Sequence, residues 1–129
     1  MIVTDASAIA ELLLAQPNVS PIRVALSSHT ELHVPEHFHA EVLSVLRRHA
    51  LARRLTEARA GRALSDLAAL RVITYPVVNL MLPIWRLRAN LSVYDAAYLA
   101  LAQRLDAGLI TLDAGLAEAA ARDGRLVSV

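Results

Sequence analysis

Four carboxylates stand at separate stations along this chain, each against apolar sequence. Asp5 follows "MIVT", Glu41 lies in "FHAEVLSVL", Asp95 in "LSVYDAAYLALAQRL", and Asp113 follows "GLITL". If they converge they repel one another, and little in the chain can neutralise them. All thirteen cationic residues are Arg, none is Lys, and no Arg adjoins any of the four acids in sequence. The physical remedy is a hard divalent cation. Mg²⁺ prefers oxygen ligands, keeps several waters and needs only one or two direct carboxylates. Such a cation would orient a water, lower its pKa and stabilise charge on a phosphate being cleaved. Each acid also has a purely structural alternative. Asp5 and Asp113 precede helical patterns and are candidate N-caps. Ser92-Val93-Tyr94-Asp95 has the spacing of a capping box. Glu41 flanks the stripe of Phe38, Val42 and Val45 and could snorkel to solvent. Ser7 and Thr111 lie two residues from Asp5 and Asp113. Their hydroxyls could hold a carboxylate or a water, or bond local backbone at a turn.

The elements that must position these groups follow from hydrophobic periodicity. "MIVT", "ELHV", "RVITY", "GLITL" and "RLVSV" read as short strands. Helical patterns cover 6–16, 22–27, 36–54, 56–70, 79–91, 92–105 and 113–122, with Thr56 a candidate cap and Pro83 in the first turn of its helix or kinking it. Apolar strands alternating with helices give an α/β domain over residues 1–129, with a central parallel sheet of about five short strands flanked by helices. In open parallel sheets, sites form beyond the carboxyl ends of the strands. That rule puts Asp5 and Asp113 on one edge of the sheet. Asp95 falls in the first turn of an Ala/Leu helix that is apolar all round and therefore expected to be buried.

Composition bounds the function. With 56% hydrophobic and 19% charged residues, the chain is globular rather than disordered. A net charge of +1 gives no global attraction to nucleic acid, so any such binding must be local. The absence of Cys excludes disulfides and thiolate metal sites. No apolar run approaches the roughly 20 residues of a membrane span, and "MIVTDAS" lacks the basic start of a signal peptide, so a cytoplasmic protein without membrane attachment is expected. Arg47, Arg48, Arg53, Arg54, Arg59 and Arg62 form a basic stretch. It is either a solvated face or a phosphate-contacting one, with Arg53 and Arg54 the pair singled out for RNA. His29, His33, His37 and His39 are clustered, but Pro35 breaks any helix that would give them zinc-ligand spacing; they read as surface or turn residues. Tyr94, Trp85 and Tyr98 could stack on bases, but each is assigned to packing. Leu12, Leu13 and Leu14 make the first helix apolar on more than one side. A receiver-like phosphoacceptor pocket would also suit acids at strand ends, but that class needs a Lys.

The ordered set "VTDASAIAELL", "AEVLSVLRR", "LSVYDAAYLALA" and "LITLDAGLA" resembles the PIN-domain ribonucleases, and within them the VapC toxins of bacterial toxin–antitoxin pairs. The resemblance runs over almost the whole chain and is most specific in "YDAAYLALA" followed by "LITLD". It implies a Rossmann-like α/β sandwich and an endoribonuclease dependent on Mg²⁺ or Mn²⁺. The family's acidic quartet maps onto Asp5, Glu41, Asp95 and Asp113, with Asp5, Asp95 and Asp113 positioning the metal. The hydroxyl near the site maps onto Ser7 or Thr111, Thr111 being the better match. The resemblance further implies a homodimer and a cognate VapB-type antitoxin whose C-terminal tail lies beside the active site. One position departs from the pattern: many relatives carry a further acid two or three residues beyond the last Asp, where this chain has Gly115 and Leu116. One firmly held metal is therefore expected. The alternatives are a housekeeping PIN-type nuclease in RNA processing and a non-catalytic α/β module with an acidic pocket.

Overall fold

The computed structural model of the protein describes residues 1–14, 21–29 and 31–129. Four parallel strands form one sheet in the order β3-β2-β1-β4: β1 (Ile2–Thr4), β2 (Leu32–Pro35), β3 (Val72–Tyr75) and β4 (Gly108–Ile110). The inner strands β1 and β2 are buried at every position. That is why they read as unbroken apolar runs rather than alternating ones. β3 lies at one edge and is half-exposed, as edge strands are when one side lacks a neighbour.

The fifth strand expected from "RLVSV" is reduced to a single parallel bridge between Leu109 and Leu126. Its two backbone bonds are Leu109 N–H to Arg125 O at 2.7 Å and Val127 N–H to Leu109 O at 2.9 Å. Beyond them the last residues run exposed at the outer edge of β4, where only one neighbour is available to extend a ladder. The helix expected over 79–91 is also shorter. A 3₁₀ turn (Val77–Leu80) leads into α5 (Met81–Arg86). Pro83 sits in the first turn of α5, where its missing N–H costs least. The chain then leaves the helix with Leu87 N–H bonded to Ile84 O in the tighter i to i+3 pattern. The stop expected near Gln16 and Pro17 lies outside the described residues.

The other helices are α1 (Ala6–Leu14), α2 (Pro21–Ser27), α3 (Phe38–Leu51), α4 (Glu57–Ala69), α6 (Val93–Leu105) and α7 (Ala114–Arg122). Thr56 caps α4, its hydroxyl accepting from Arg59 N–H at 3.2 Å. α1 packs with α2, α3 and α4, while α6 lies across β1, β2 and β4 between α5 and α7. Seven consecutive residues of α6, from Ala96 to Ala102, are buried. Four of them are Ala, whose small side chains let the helix lie close on the sheet. This packing fixes the direction of the first turn of α6, which carries Asp95. Among the described residues no helix is long and apolar enough to cross a membrane.

Candidate active site

β1 and β4 are neighbours and end together. Thr4 pairs with Ile110, and the N–H of Asp5 continues the ladder to Ile110 O at 3.2 Å. Asp5 and Thr111 are therefore side by side at the carboxyl edge of the sheet. Asp5 is only 4% exposed and its carboxylate is densely hydrogen-bonded. Oδ1 accepts from Ala8 N–H at 3.1 Å, which caps α1, and from Ser7 Oγ at 2.7 Å. Oδ2 accepts from Thr111 Oγ1 at 2.5 Å. The two hydroxyls are themselves fixed by backbone donors. Ser7 Oγ accepts from Leu112 N–H and Thr111 Oγ1 from Asp113 N–H, both at 3.0 Å. Burial raises the Asp5 pKa above its ordinary value despite these bonds, and the charge of Asp113 adds to the rise.

Asp113 caps α7, its Oδ2 accepting from Leu116 N–H at 2.9 Å. Asp95 occupies the first turn of α6, and its N–H donates to Ser92 Oγ at 3.2 Å. Ser92 is thus the cap. The Asp95 carboxyl is raised by burial and then by the charges of Asp113, Glu41 and Asp5. Glu41 arrives from α3. Its Oε1 accepts from Tyr98 Oη at 2.7 Å and lies 3.1 Å from His37 Nε2. Burial pushes the Glu41 pKa up, but the His37 and Tyr98 hydrogen bonds and the charge of His37 outweigh it, so the net shift is downward. Tyr98 is itself buried at 1% exposure. Burial and its bond to Glu41 raise its phenol well above the ordinary value, so it stays a hydrogen-bond donor.

All four acids line one open cavity of about 510 Å³, together with Ser7, His37, Arg48 and Tyr94. Residues 2–122 match the PIN domain family. This chain belongs to the PIN-domain family. Ribonuclease VapC9 of Mycobacterium tuberculosis is 45% identical over 118 residues, a stretch covering 92% of this chain and 90% of that protein. Ribonuclease VapC3 of Pyrobaculum aerophilum is 37% identical over 121 residues, 91% of this chain and 92% of its own. In three dimensions the chain is similar to PAE2754 of Pyrobaculum aerophilum, with a TM-score of 0.67 at 23% identity, over 91% of this chain and 77% of that one. It is also similar to Mycobacterium tuberculosis VapC20, a sarcin-ricin loop cleaving toxin, with a TM-score of 0.63 at 19% identity, over 92% and 95% of the two chains.

Within this PIN domain the donor set suits a hard cation. It is all oxygen, and no ion pair joins Asp5, Asp95 or Asp113 to a cationic side chain among the described residues. Among those residues no three His, Asp or Glu side chains are gathered closely enough to hold a metal ion by themselves, so water would have to complete any coordination. An open arrangement of this kind fits Mg²⁺, which keeps most of its water and takes one or two direct carboxylates.

Arg53 and Arg54 stand in the turn after α3 and do not line the cavity. The cation that does is Arg48. Arg59 instead ties α4 to α1, donating to Leu14 O at 2.8 Å. The histidines are not all surface groups. His33 is buried in β2 with Nδ1 2.7 Å from Tyr75 Oη, and burial lowers its pKa. His37 belongs to the cavity wall. Tyr98 and His37 were not anticipated at the site, although both carried a signal. His37 stands four residues before Glu41 and Tyr98 three after Asp95, the spacings that share a helix face. Tyr94 and Trp85 do not pack inward: they are 61% and 60% exposed.

Proposed function

We propose that this protein is a metal-dependent endoribonuclease acting as the toxin of a type II toxin–antitoxin pair. The observation that carries the reading is the convergence of Asp5, Glu41, Asp95 and Asp113 from four parts of the chain onto one cavity, close enough that Asp95 feels the other three charges. The ribonuclease relatives at up to 45% identity over most of the chain support the substrate class.

Asp5, Asp95 and Asp113 would hold Mg²⁺ or Mn²⁺, with Glu41 engaged directly or through water. When bound, the ion neutralises phosphate charge and makes a water acidic enough to serve as nucleophile. The chain's own groups then have separate tasks. Thr111 and Ser7 fix the Asp5 carboxylate in one orientation. Tyr98 and His37 do the same for Glu41. The downward shift of Glu41 favours its ionised form, the form that can hold a cation or accept a hydrogen bond from water. A cognate VapB-type antitoxin and a homodimer belong to the proposal. Val78, Met81, Leu82 and Trp85, each at least 60% exposed, form apolar surface suited to burial by a second copy.

The test is cleavage mapping of total cellular RNA after brief expression, with Asp95→Asn as the inactive partner. Discrete cuts that vanish in Asp95→Asn, while its circular dichroism matches the parent, are expected. Full ribonuclease activity in Asp95→Asn refutes the assignment. A housekeeping nuclease would be favoured instead if expression leaves growth unaffected and no small antitoxin gene adjoins this one.

A further inference from the structure

Two tyrosines one helical turn apart in α6 behave oppositely. Tyr98 is 1% exposed and bonded to Glu41. Tyr94 is 61% exposed yet lines the same cavity, immediately before Asp95. Leaving a large aromatic ring in water forgoes the burial that usually makes such residues worthwhile. The ring is nevertheless braced. The His37 imidazole meets it edge-on, with centroids 5.5 Å apart and planes at 74°. His37 Nε2 also lies 3.3 Å from Tyr94 O. His37 is held in turn by Glu41 and by an edge contact with Tyr98. A ring fixed in this way loses little further rotamer freedom when a ligand covers it.

The opposite ingredient is a cation. Glu41, Ser44, Val45 and Arg48 recur at helical spacing along α3, and all line the cavity. Arg48 is seven residues beyond Glu41, about 10 Å along the helix axis. Its guanidinium has no hydrogen bond or ion pair among the described residues. Carboxylates, a braced exposed ring and an uncommitted guanidinium therefore share one cavity.

We propose that Tyr94 is a stacking platform for an unpaired nucleobase beside the scissile phosphate, with Arg48 contacting a neighbouring phosphate. This deepens the nuclease reading and rests on it. Bases in a duplex are already stacked and offer no free face, whereas splayed bases of single strands and loops stack on aromatic side chains. Such stacking tolerates any base because every base has a π-face. Base identity is thus set elsewhere.

The experiment uses the full chain and a single-stranded oligoribonucleotide with 2-aminopurine placed in turn at each position. Cleavage is read with Mg²⁺ or Mn²⁺, and fluorescence quenching on binding is read with Ca²⁺ in its place, another hard cation that takes oxygen ligands. Tyr94→Ala is expected to lower both affinity and cleavage by roughly 5- to 100-fold, the range of one lost base–aromatic stack, while Tyr94→Phe keeps both. RNA made abasic at the quenched position should be handled equally by parent and Tyr94→Ala. Arg48→Ala should weaken binding of intact and abasic RNA alike and flatten the salt dependence. Undiminished binding and cleavage by Tyr94→Ala overturns the proposal. So does an equal loss on abasic RNA, which marks a structural role, and so does binding of the matched duplex as tightly as the single strand. If the parent cleaves nothing yet quenching still depends on Tyr94, the nuclease reading fails and the platform stands. No binding at all overturns the platform.

Discussion

Replacing Asp5 by Asn should stabilise this protein while abolishing its chemistry. Asp5 is 4% exposed, and the folded state raises its pKa above 3.8, chiefly through burial with a further push from Asp113. An acid whose folded pKa is raised contributes stability below its unfolded pKa. That contribution is lost as pH rises through the folded value, because the folded state holds the proton the unfolded state has released. Each unit of such a shift is about 1.4 kcal/mol. Asn is a close neutral stand-in for the protonated acid. Its Oδ1 can still accept from Ala8 N–H, and its amide nitrogen can donate to Thr111 Oγ1. The Thr111 proton then turns toward Ser7 Oγ, 3.5 Å away. At neutral pH in chelator Asp5→Asn is therefore expected to melt above the parent. That advantage should shrink toward zero as pH falls to about 3, where both states of the parent are protonated. Adding Mg²⁺ acts in the opposite direction: at a hundred times Kd the parent gains about 2.7 kcal/mol and Asp5→Asn gains little. Thermal melts of both proteins from pH 3 to 8, with chelator and with Mg²⁺, read all of this. Asp5→Asn melting below the parent in chelator at neutral pH, or an advantage that persists undiminished at low pH, refutes the reasoning.

Residues set by strand ends were the legible part of the site. "MIVT" and "GLITL" announce parallel strands, and the rule that sites form at their carboxyl ends brings Asp5, Thr111 and Asp113 together without coordinates. Asp95 followed from the aliphatic character of α6, whose buried stretch begins at Ala96, directly after it. At Asp5 and Asp113 the cap reading and the site reading fall on the same group, whereas α6 is capped by Ser92 beside Asp95. Asp5 and Asp113 each give one oxygen to a helix N-terminus, because helices leave this sheet where the strands end. What the sequence could not supply was the approach of the start of α3 to the start of α6, where Glu41 and His37 meet Tyr98 and Tyr94. The Tyr98–Glu41 bond spans 57 residues and depends on how two helices pack, which periodicity does not specify. Tyr94 was assigned to packing for the same reason: one turn apart on one face of α6, Tyr94 and Tyr98 differ in what packs against them, which periodicity does not show. The shortfall at "RLVSV" has another cause. A β-branched pattern marks strand preference, but a ladder also needs a partner with free edge groups over several residues, and β4 is only three residues long.

Tyr98→Phe keeps the buried ring but removes the donor to Glu41, so the fold should persist while cleavage drops about 10- to 100-fold, as for lost supports of metal-site carboxylates. Parent-like cleavage at limiting Mg²⁺ would exclude that support. The dimer is tested by Leu82→Glu combined with Trp85→Glu. Both side chains are 60% exposed on α5, so the substitutions place charge on surface already in water and leave the monomer's core untouched. If a second copy covers them, each carboxylate must be desolvated without a partner, at a cost of several kcal/mol. Light scattering should then give half the parent's mass with an unchanged circular dichroism spectrum. If the parent is a dimer and the variant keeps its mass, the subunit contact lies elsewhere, because two unpaired charges at an apolar interface would cost several kcal/mol each.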